Sequence, residues 1–229
     1  MVTSAATSPI PAKPGPHAVV LVTGFDAFGG AASNPSTLVA QALHRRQIAG
    51  CRVVGAQLPT VFGAALTCLD ALLERHQPSL VICLGLAAER ATLQLERVAI
   101  NREDARIADN RGAQPVDRPV IAGAPAAYLS TLPIEAMVRA MTAAGVPTDT
   151  SQSAGTFVCN HVFFGLMHRL ATVPALQTAR GGFIHLPQLS APGRAGMPLA
   201  QMVHGVRTGI RTAIVASATP QRSRHASRS

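Results

Sequence analysis

The 229-residue sequence has no tryptophan, one tyrosine and one lysine, Lys13. Its other basic residues are all arginines, and the formal net charge is +9. These arginines are scattered along the chain or lie in the C-terminal tail, and no basic stripe is interleaved with aromatic residues. Nucleic-acid binding needs a clustered basic footprint. The sequence therefore predicts no nucleic-acid partner.

Long apolar runs and paired cysteines are also missing. No apolar run reaches the roughly 18 residues that a membrane span needs, so no membrane partner is expected. The four cysteines form no C-x-x-C pair, which argues against a disulfide framework or a zinc site and suits a reducing compartment. We therefore expect a metal-free cytoplasmic protein. The cysteines are Cys51, Cys68, Cys83 and Cys159.

Common phosphate-binding and serine-hydrolase motifs are absent as well. The glycine-rich turn at residues 24–30 is neither G-x-G-x-x-G nor a Walker A sequence, which disfavours nucleotide phosphate. No G-x-S-x-G is present, which disfavours an α/β-hydrolase serine.

Apolar residues make up 48% of the chain, enough for a substantial core. Buried strands alternate with amphipathic helices, which predicts an α/β fold: one doubly wound domain at 17–218 whose mostly parallel twisted sheet has helices on both faces. Gly85 is expected to end the third strand, and a long polar stretch follows at 102–126. Residues 1–16 are predicted to be a flexible leader and 219–229 a disordered basic tail. The predicted strands are 17–25, 51–57, 80–84, 146–153 and 182–186, with an extended segment at 92–101; the predicted helices are 34–46, 61–76, 133–144, 158–170 and 198–218.

Cys159 stands out because of its place between a predicted strand and a predicted helix. Ala154 and Gly155 supply a tight turn, and from Val158 onward the apolar residues recur at helical spacing. A sulfur in the first turn of a helix faces unpaired N–H groups and the positive end of the helix dipole, a setting that favours the thiolate. The alternative is a buried cysteine that acts as a small hydrophobe.

A thiol nucleophile needs a base, and the base needs an orienting partner. Sites in open α/β sheets collect at the carboxyl ends of strands, and His185 is the histidine that the topology places there. His161 diverges from Cys159 on the helix and is expected to be a structural partner. Glu96 lies in an apolar extended segment and is a candidate acid, although an exposed pair with Arg97 explains it equally well. The other histidines with helical positions are expected at the surface: His44, His76, His168 and His204.

Several blocks, in this order, resemble the pyroglutamyl peptidase I family of cysteine peptidases, also called pyrrolidone carboxyl peptidases. The resemblance extends from about Val19 to Ala218. Its blocks are VLVTGFDAFGGAASNPS (20–36), LPTVFG (58–63), ERVAIN with DARIADNRG (96–112), AAYLSTLPI (126–134), SAGTFVCNHVFFGLMH (153–168) and GGFIHLP (181–187).

The resemblance implies a Cys-His-Glu triad without a cofactor: Cys159 as nucleophile, His185 as base and Glu96 as the orienting acid. The implied substrates are peptides with an N-terminal pyroglutamate, and relatives are often homotetramers. Arg106 is implied near the oxyanion. The implied pocket for the pyroglutamyl ring comprises Phe25, Phe28, Thr60, Ile107, Phe157 and Val158.

One departure from the family leaves an alternative open. Bacterial relatives commonly have a small residue where this chain has Glu89, and the added charge could change the site. A family member that binds pyroglutamyl peptides or another small lactam without turnover is therefore the main rival. Asp104, Asp109 and Asp117 could be turn residues. A third class, an enzyme similar to nucleoside phosphorylases, would need a phosphate site that the sequence does not show.

Overall fold

The computed structural model describes residues 18–191 and 196–217. The predicted leader and basic tail lie outside these residues, as do His17 and Ala218 at the ends of two predicted elements. The strands are β1 (Val19–Phe25), β2 (Gln47–Ile48), β3 (Cys51–Leu58), β4 (Leu80–Leu86), β5 (Leu93–Glu96), β6 (Val98–Ile100), β7 (Ala127–Leu129), β8 (Thr148–Ser151) and β9 (Arg180–Leu186). The helices are α1 (Pro35–Leu43), α2 (Ala64–His76), α3 (Ile134–Ala143), α4 (Val158–Thr172) and α5 (Leu199–Ser217), with a short 3-10 helix at Pro174–Leu176.

Seven of the strands form one sheet in the order β2-β3-β1-β4-β9-β5-β8. The four central strands β3, β1, β4 and β9 are parallel, whereas β5 runs antiparallel to β9. Only six residues, 87–92, connect β4 to β5. A parallel return needs a crossover of a dozen or more residues, so this short connection forces β5 to run in the opposite direction. Strands β6 and β7 form a separate antiparallel pair.

Helices cover both faces of the sheet, as the sequence predicts. On one face, α1, α3 and α5 pack on side chains such as Val20 and Val22 of β1. On the other, α2 and α4 pack on the alternate residues Val19 and Leu21. All seven residues of β1 are buried, which explains its continuous apolar run. The expected α/β architecture is confirmed.

Some element boundaries differ from the predictions. Gly85 does not end its strand, because pairing with β9 continues through Gly85–His185 and Leu86–Leu186. Helix α2 begins at Ala64 and not at Val61, since Gly63 has a φ of +71° that is incompatible with a helix. Helix α1 ends at Leu43, short of the predicted end near residue 46. Residues 59–63 are therefore a loop at the carboxyl end of β3.

Across residues 18–191 and 196–217, no helix combines the length and the apolar character needed to cross a membrane.

Candidate active site

Cys159 is the second residue of α4. The chain leaves β8 at Ser151 and turns at Gly155, whose φ of +77° favours glycine. The N-cap residue Phe157 has extended backbone angles, and its side chain makes no capping hydrogen bond. The first N–H groups of a helix have no partner within the helix. Cys159 lies in this first turn of α4, whose N–H groups have no side-chain cap.

The sulfur of Cys159 lies directly on the main chain of β4. A Cβ atom at Gly85 would come within 2.8 Å of the Cys159 Sγ and within 2.8 Å of Phe183 Cζ. Gly85 is also the strand partner of His185. The glycine predicted to break a strand instead makes room for the sulfur beside the histidine.

His185 and Glu96 form a buried pair. The His185 Nδ1 lies 2.8 Å from Glu96 Oε1, and the two side chains are only 9% and 2% exposed. Antiparallel pairing of β5 with β9 makes the two residues diagonal neighbours on one face of the sheet, because Gln94 is opposite His185 and Glu96 is opposite Phe183. The alternative of a Glu96–Arg97 surface pair is wrong, since Arg97 binds Glu135 at 2.8 Å.

His185 is positioned between this carboxylate and the sulfur. Burial lowers the pKa of His185, but the neighbouring Cys159 thiol and the Glu96 carboxylate outweigh burial and raise the pKa to about 9. Because Glu96 occupies Nδ1, Nε2 is the nitrogen left for the sulfur. The raised pKa favours the protonated form of the imidazole.

The other histidines have other surroundings. His44 and His204 are exposed, His76 is half-buried, and His168 lies 3.0 Å from the Tyr128 hydroxyl. His161 turns away from Cys159 and contacts Glu103.

Aromatic rings gather beside the start of α4. The Phe157 ring contacts Phe28 at a centroid distance of 5.3 Å and Phe62 at 5.4 Å. We call these three residues the aromatic wall. Phe28 and Phe157 were predicted from the sequence as pocket residues, whereas Phe62 was not, because it falls in the predicted helix 61–76.

The remaining predicted pocket residues have different environments. The Thr60 hydroxyl is buried and binds Asp26 Oδ1 at 2.6 Å. Phe25 and Val158 are core side chains, 2% and 0% exposed, so they support the site from within the core. Ile107 is 56% exposed.

Two carboxylates that the pocket prediction did not include hold the loops around the wall. Asp109 accepts hydrogen bonds from the N–H groups of Phe62, Arg111 and Ala113 at 2.8–2.9 Å. Burial raises the pKa of Asp109, but these N–H groups outweigh burial and hold the pKa below its usual value. The predicted turn role of Asp109 is therefore only part of its function, because it also fixes the loop at 59–63.

Asp26 makes the second connection. It accepts from the Thr60 N–H at 2.7 Å and from Asn110 Nδ2 at 3.2 Å. It thereby joins the ends of β1 and β3 to the polar stretch at 102–126. An Asp directly after a buried strand was the sequence signal that could have identified it.

Arg106 and Glu89 are both exposed. Glu89 lies in a turn that the Arg90 N–H closes by bonding the Ala87 carbonyl at 3.0 Å. An oxyanion role for Arg106 and an effect of Glu89 on the site both stay predictions.

The other three cysteines are poor nucleophiles. Burial raises the pKa of Cys51 and Cys68, and it raises the pKa of Cys83 to about 12. Within the described part of the chain, no cluster of three or more His, Cys, Asp or Glu side chains could hold a metal ion.

A surface cavity of about 760 Å³ lies elsewhere, beside α3 and β7. Its charged lining includes the solvent-exposed pair Arg97 and Glu135, and it contains none of the predicted site residues. The reactive groups therefore lie at Cys159 and not in this cavity.

Comparisons with known proteins identify the family of this chain. The model of the pyroglutamyl peptidase family, peptidase C15, matches residues 18–216. A pyrrolidone-carboxylate peptidase of Cupriavidus taiwanensis is 53% identical over 200 residues, covering 85% of this chain and 92% of the relative. One from Gloeobacter violaceus is 51% identical over 192 residues, covering 82% and 92%.

Solved structures give the same result. The crystal structure of pyroglutamyl peptidase I from Bacillus amyloliquefaciens has a TM-score of 0.84 and 38% identity, covering 88% of this chain and 97% of that one. A pyrrolidone carboxyl peptidase from Pyrococcus furiosus has a TM-score of 0.82 and 36% identity, with coverage of 87% and 99%. The chain belongs to the pyroglutamyl peptidase family.

Proposed function

We propose that this chain is a cysteine exopeptidase that hydrolyses the amide bond after an N-terminal pyroglutamyl residue. Cys159 is the nucleophile, His185 the acid and base, and Glu96 the residue that orients His185. The observation that carries the proposal is the buried pair of His185 and Glu96, 2.8 Å apart, beside Gly85, the strand partner of His185 against which the Cys159 sulfur packs.

Acylation is the first step. The Cys159 thiolate attacks the carbonyl carbon of the scissile amide, and the electron pair of the C=O bond moves onto oxygen. The unpaired N–H groups at the start of α4 stabilise this oxyanion, together with Arg106. As the intermediate collapses, the C–N bond breaks and His185 gives its proton to the leaving amine. The products are a peptide with a free amino group and a thioester at Cys159.

Deacylation regenerates the enzyme. His185, now neutral, removes a proton from water, and the resulting hydroxide attacks the thioester carbonyl. The C–S bond breaks, pyroglutamate leaves, and the thiolate again faces a protonated His185. Throughout, the Nδ1–H of His185 donates to Glu96, so that Nε2 stays directed at the reacting atoms.

The surroundings of the site suit a flat, neutral lactam. Phe28, Phe62 and Phe157 offer ring surfaces, and Ile107 adds an exposed aliphatic side chain. A substrate with a free α-amino group would bring a charge without a partner to an apolar wall and would be rejected. A cytoplasmic location and a homotetramer belong to the same proposal. The location is supported by the four free cysteines, and the homotetramer by the resemblance to the family.

The test is release of the amine from a pyroglutamyl amide by the purified chain. We expect turnover by the wild type and none by Cys159→Ala. Iodoacetamide should abolish activity with labelling of Cys159, while Cys51 and Cys83 stay unlabelled because they are buried. Equal rates for wild type and Cys159→Ala would overturn the triad. Tight binding of the amide without amine release by the wild type would support the non-catalytic rival.

A further inference from the structure

A second buried histidine–carboxylate pair lies two residues beyond the nucleophile. The His161 Nδ1 is 2.5 Å from Glu103 Oε1, and the side chains are 5% and 3% exposed. The His161 Nε2 accepts the Gly63 N–H at 3.0 Å. A nitrogen that accepts a hydrogen bond carries no proton, so His161 carries its proton on Nδ1 and donates it to Glu103.

Glu103 is itself held on its other oxygen. Arg118 Nε donates to Glu103 Oε2 at 2.7 Å, and the main chains of Glu103 and Arg118 pair as an isolated antiparallel bridge. Burial raises the pKa of Glu103, but the bonds from His161 and Arg118 outweigh burial and lower the pKa below its usual value. The carboxylate is therefore a fixed acceptor for His161.

This pair reaches the aromatic wall through the loop at 59–63. The Gly63 N–H that His161 accepts belongs to the residue next to Phe62. The Phe62 ring packs edge-on against both His161 and Phe157, with centroid distances of 5.4 Å in each case. Glu103, His161, Phe62, Phe157 and Phe28 thus form one continuous series of contacts from the polar stretch to the far side of the wall.

We propose that His161 and Glu103 are positioning residues that set the aromatic wall for the pyroglutamyl ring. The proposal rests on the proposed function, but it concerns residues outside the triad. Both His161 nitrogens are occupied, so His161 exchanges no proton with Cys159 during the reaction. By accepting the Gly63 N–H, His161 instead fixes the position of the neighbouring Phe62 in the aromatic wall. Loss of that acceptor therefore weakens substrate binding more than it slows the chemical step.

Two variants separate the two hydrogen bonds of His161. His161→Asn keeps a donor near the Nδ1 position and loses the acceptor for Gly63, whereas His161→Gln keeps an acceptor near the Nε2 position and loses the donor. We expect His161→Asn to raise KM for a pyroglutamyl amide about tenfold or more, with kcat within threefold of wild type. His161→Gln should raise KM less than His161→Asn does.

Reactivity of the nucleophile is the second readout. The iodoacetamide labelling rate of Cys159 depends on the His185 pair and not on the wall, so it should stay within twofold in both variants. The matched control is His168→Asn, two turns further along α4, where the side chain meets Tyr128 and not the wall. We expect its KM to stay within twofold of wild type.

The outcomes are distinct. A wild type without amidase activity would overturn the proposed function and this proposal with it. An active wild type whose KM is unchanged by His161→Asn would overturn this proposal alone. Slower labelling of Cys159 with an unchanged KM would place His161 in the chemistry and also contradict it.

A measurement on the unaltered chain covers variants that fail to fold. Nitrogen-15 NMR of the histidine rings at the assay pH should show His161 with a proton on Nδ1 and none on Nε2. A proton on Nε2 would be incompatible with the bond from Gly63 and would overturn the proposal.

Discussion

Replacing Gly85 by alanine tests the arrangement of the site most directly. Gly85 is in the interior of β4, with the Cys159 sulfur on one side and its strand partner His185 on the other. An added Cβ would lie 2.8 Å from Cys159 Sγ, 2.8 Å from Phe183 Cζ and 3.0 Å from Phe183 Cε1. Ordinary contacts begin near 3.4 Å. The sulfur must therefore move by about 0.6 Å, or the Phe183 ring and the strand must move instead.

Both stability and rate follow from this displacement. Overpacking in a close-packed core costs about 1–3 kcal/mol, and we expect a loss of unfolding free energy in that range. A misplacement of about 1 Å at reacting groups can cost about 100-fold in rate. Because the sulfur moves relative to His185, we expect kcat/KM to fall about 10- to 100-fold.

The assay combines pyroglutamyl amide hydrolysis, iodoacetamide labelling of Cys159 and urea unfolding. The matched control is Gly205→Ala on α5, where a Cβ would lie 2.8 Å from Val146 Cγ1 on the opposite face of the sheet. Its overpacking is offset by about 1 kcal/mol of improved helix propensity. We expect kcat/KM of this control to stay within twofold of wild type.

A folded Gly85→Ala variant with full kcat/KM and a normal labelling rate of Cys159 would refute this prediction. That result would mean that the sulfur does not rest on β4. If Gly205→Ala loses as much activity as Gly85→Ala, then overpacking anywhere in the core lowers activity. That result would contradict a specific role of Gly85 in the site.

Three further predictions concern the charged groups. The pKa of His185 is raised from 6.5 to about 9, so its proton stabilises the fold fully below pH 6.5, and this contribution is lost as pH rises through about 9. The pH profile of kcat/KM should fall near pH 9, and Glu96→Gln should move that fall to lower pH and reduce kcat/KM at least about tenfold; an unmoved alkaline limb would contradict the pairing. Asp109→Ala leaves three N–H groups without their acceptor, so we expect a loss of about 2–3 kcal/mol in urea unfolding and a higher KM; an unchanged KM would separate the loop from the site. Arg169→Lys removes the bidentate salt bridge between Arg169 and Asp70 at the surface between α4 and α2. We expect the free energy of unfolding to fall by less than about 1 kcal/mol and kcat/KM to stay unchanged. A large loss of activity would show that the tilt of α4 controls the site.

The sequence was sufficient for the main elements because their signals are local. The continuous apolar run of β1 predicts a strand buried on both faces, and the helical spacing after Val158 places Cys159 in the first turn of α4. His185 at a strand end was also accessible from the topology of alternating strands and helices. Glycine was the weak point: Gly85 was predicted to end a strand, although it remains paired with β9 throughout.

The order of the strands in the sheet determines which side chains pair at the site. The sequence left Glu96 equally balanced between a surface pair with Arg97 and an orienting acid. Antiparallel pairing of β5 with β9, forced by a six-residue connection, brings Glu96 to His185 and leaves Arg97 for Glu135. Contacts between residues 89 positions apart depend on packing and cannot be derived from local spacing.

The sequence alone thus determined that Cys159 lies in the first turn of a helix that follows a strand and that His185 lies near the end of another strand. It also determined that the chain resembles a family that uses both residues. Local periodicity and turn chemistry suffice for that, because each signal extends over a few residues. Only the tertiary structure showed that Gly85 leaves room for the sulfur, and that Asp26, Glu103 and Asp109 hold the loops around it. Those roles depend on the close packing of segments that are distant in the sequence. The effect of a missing Cβ or of a buried carboxylate is set by the atoms that pack against it.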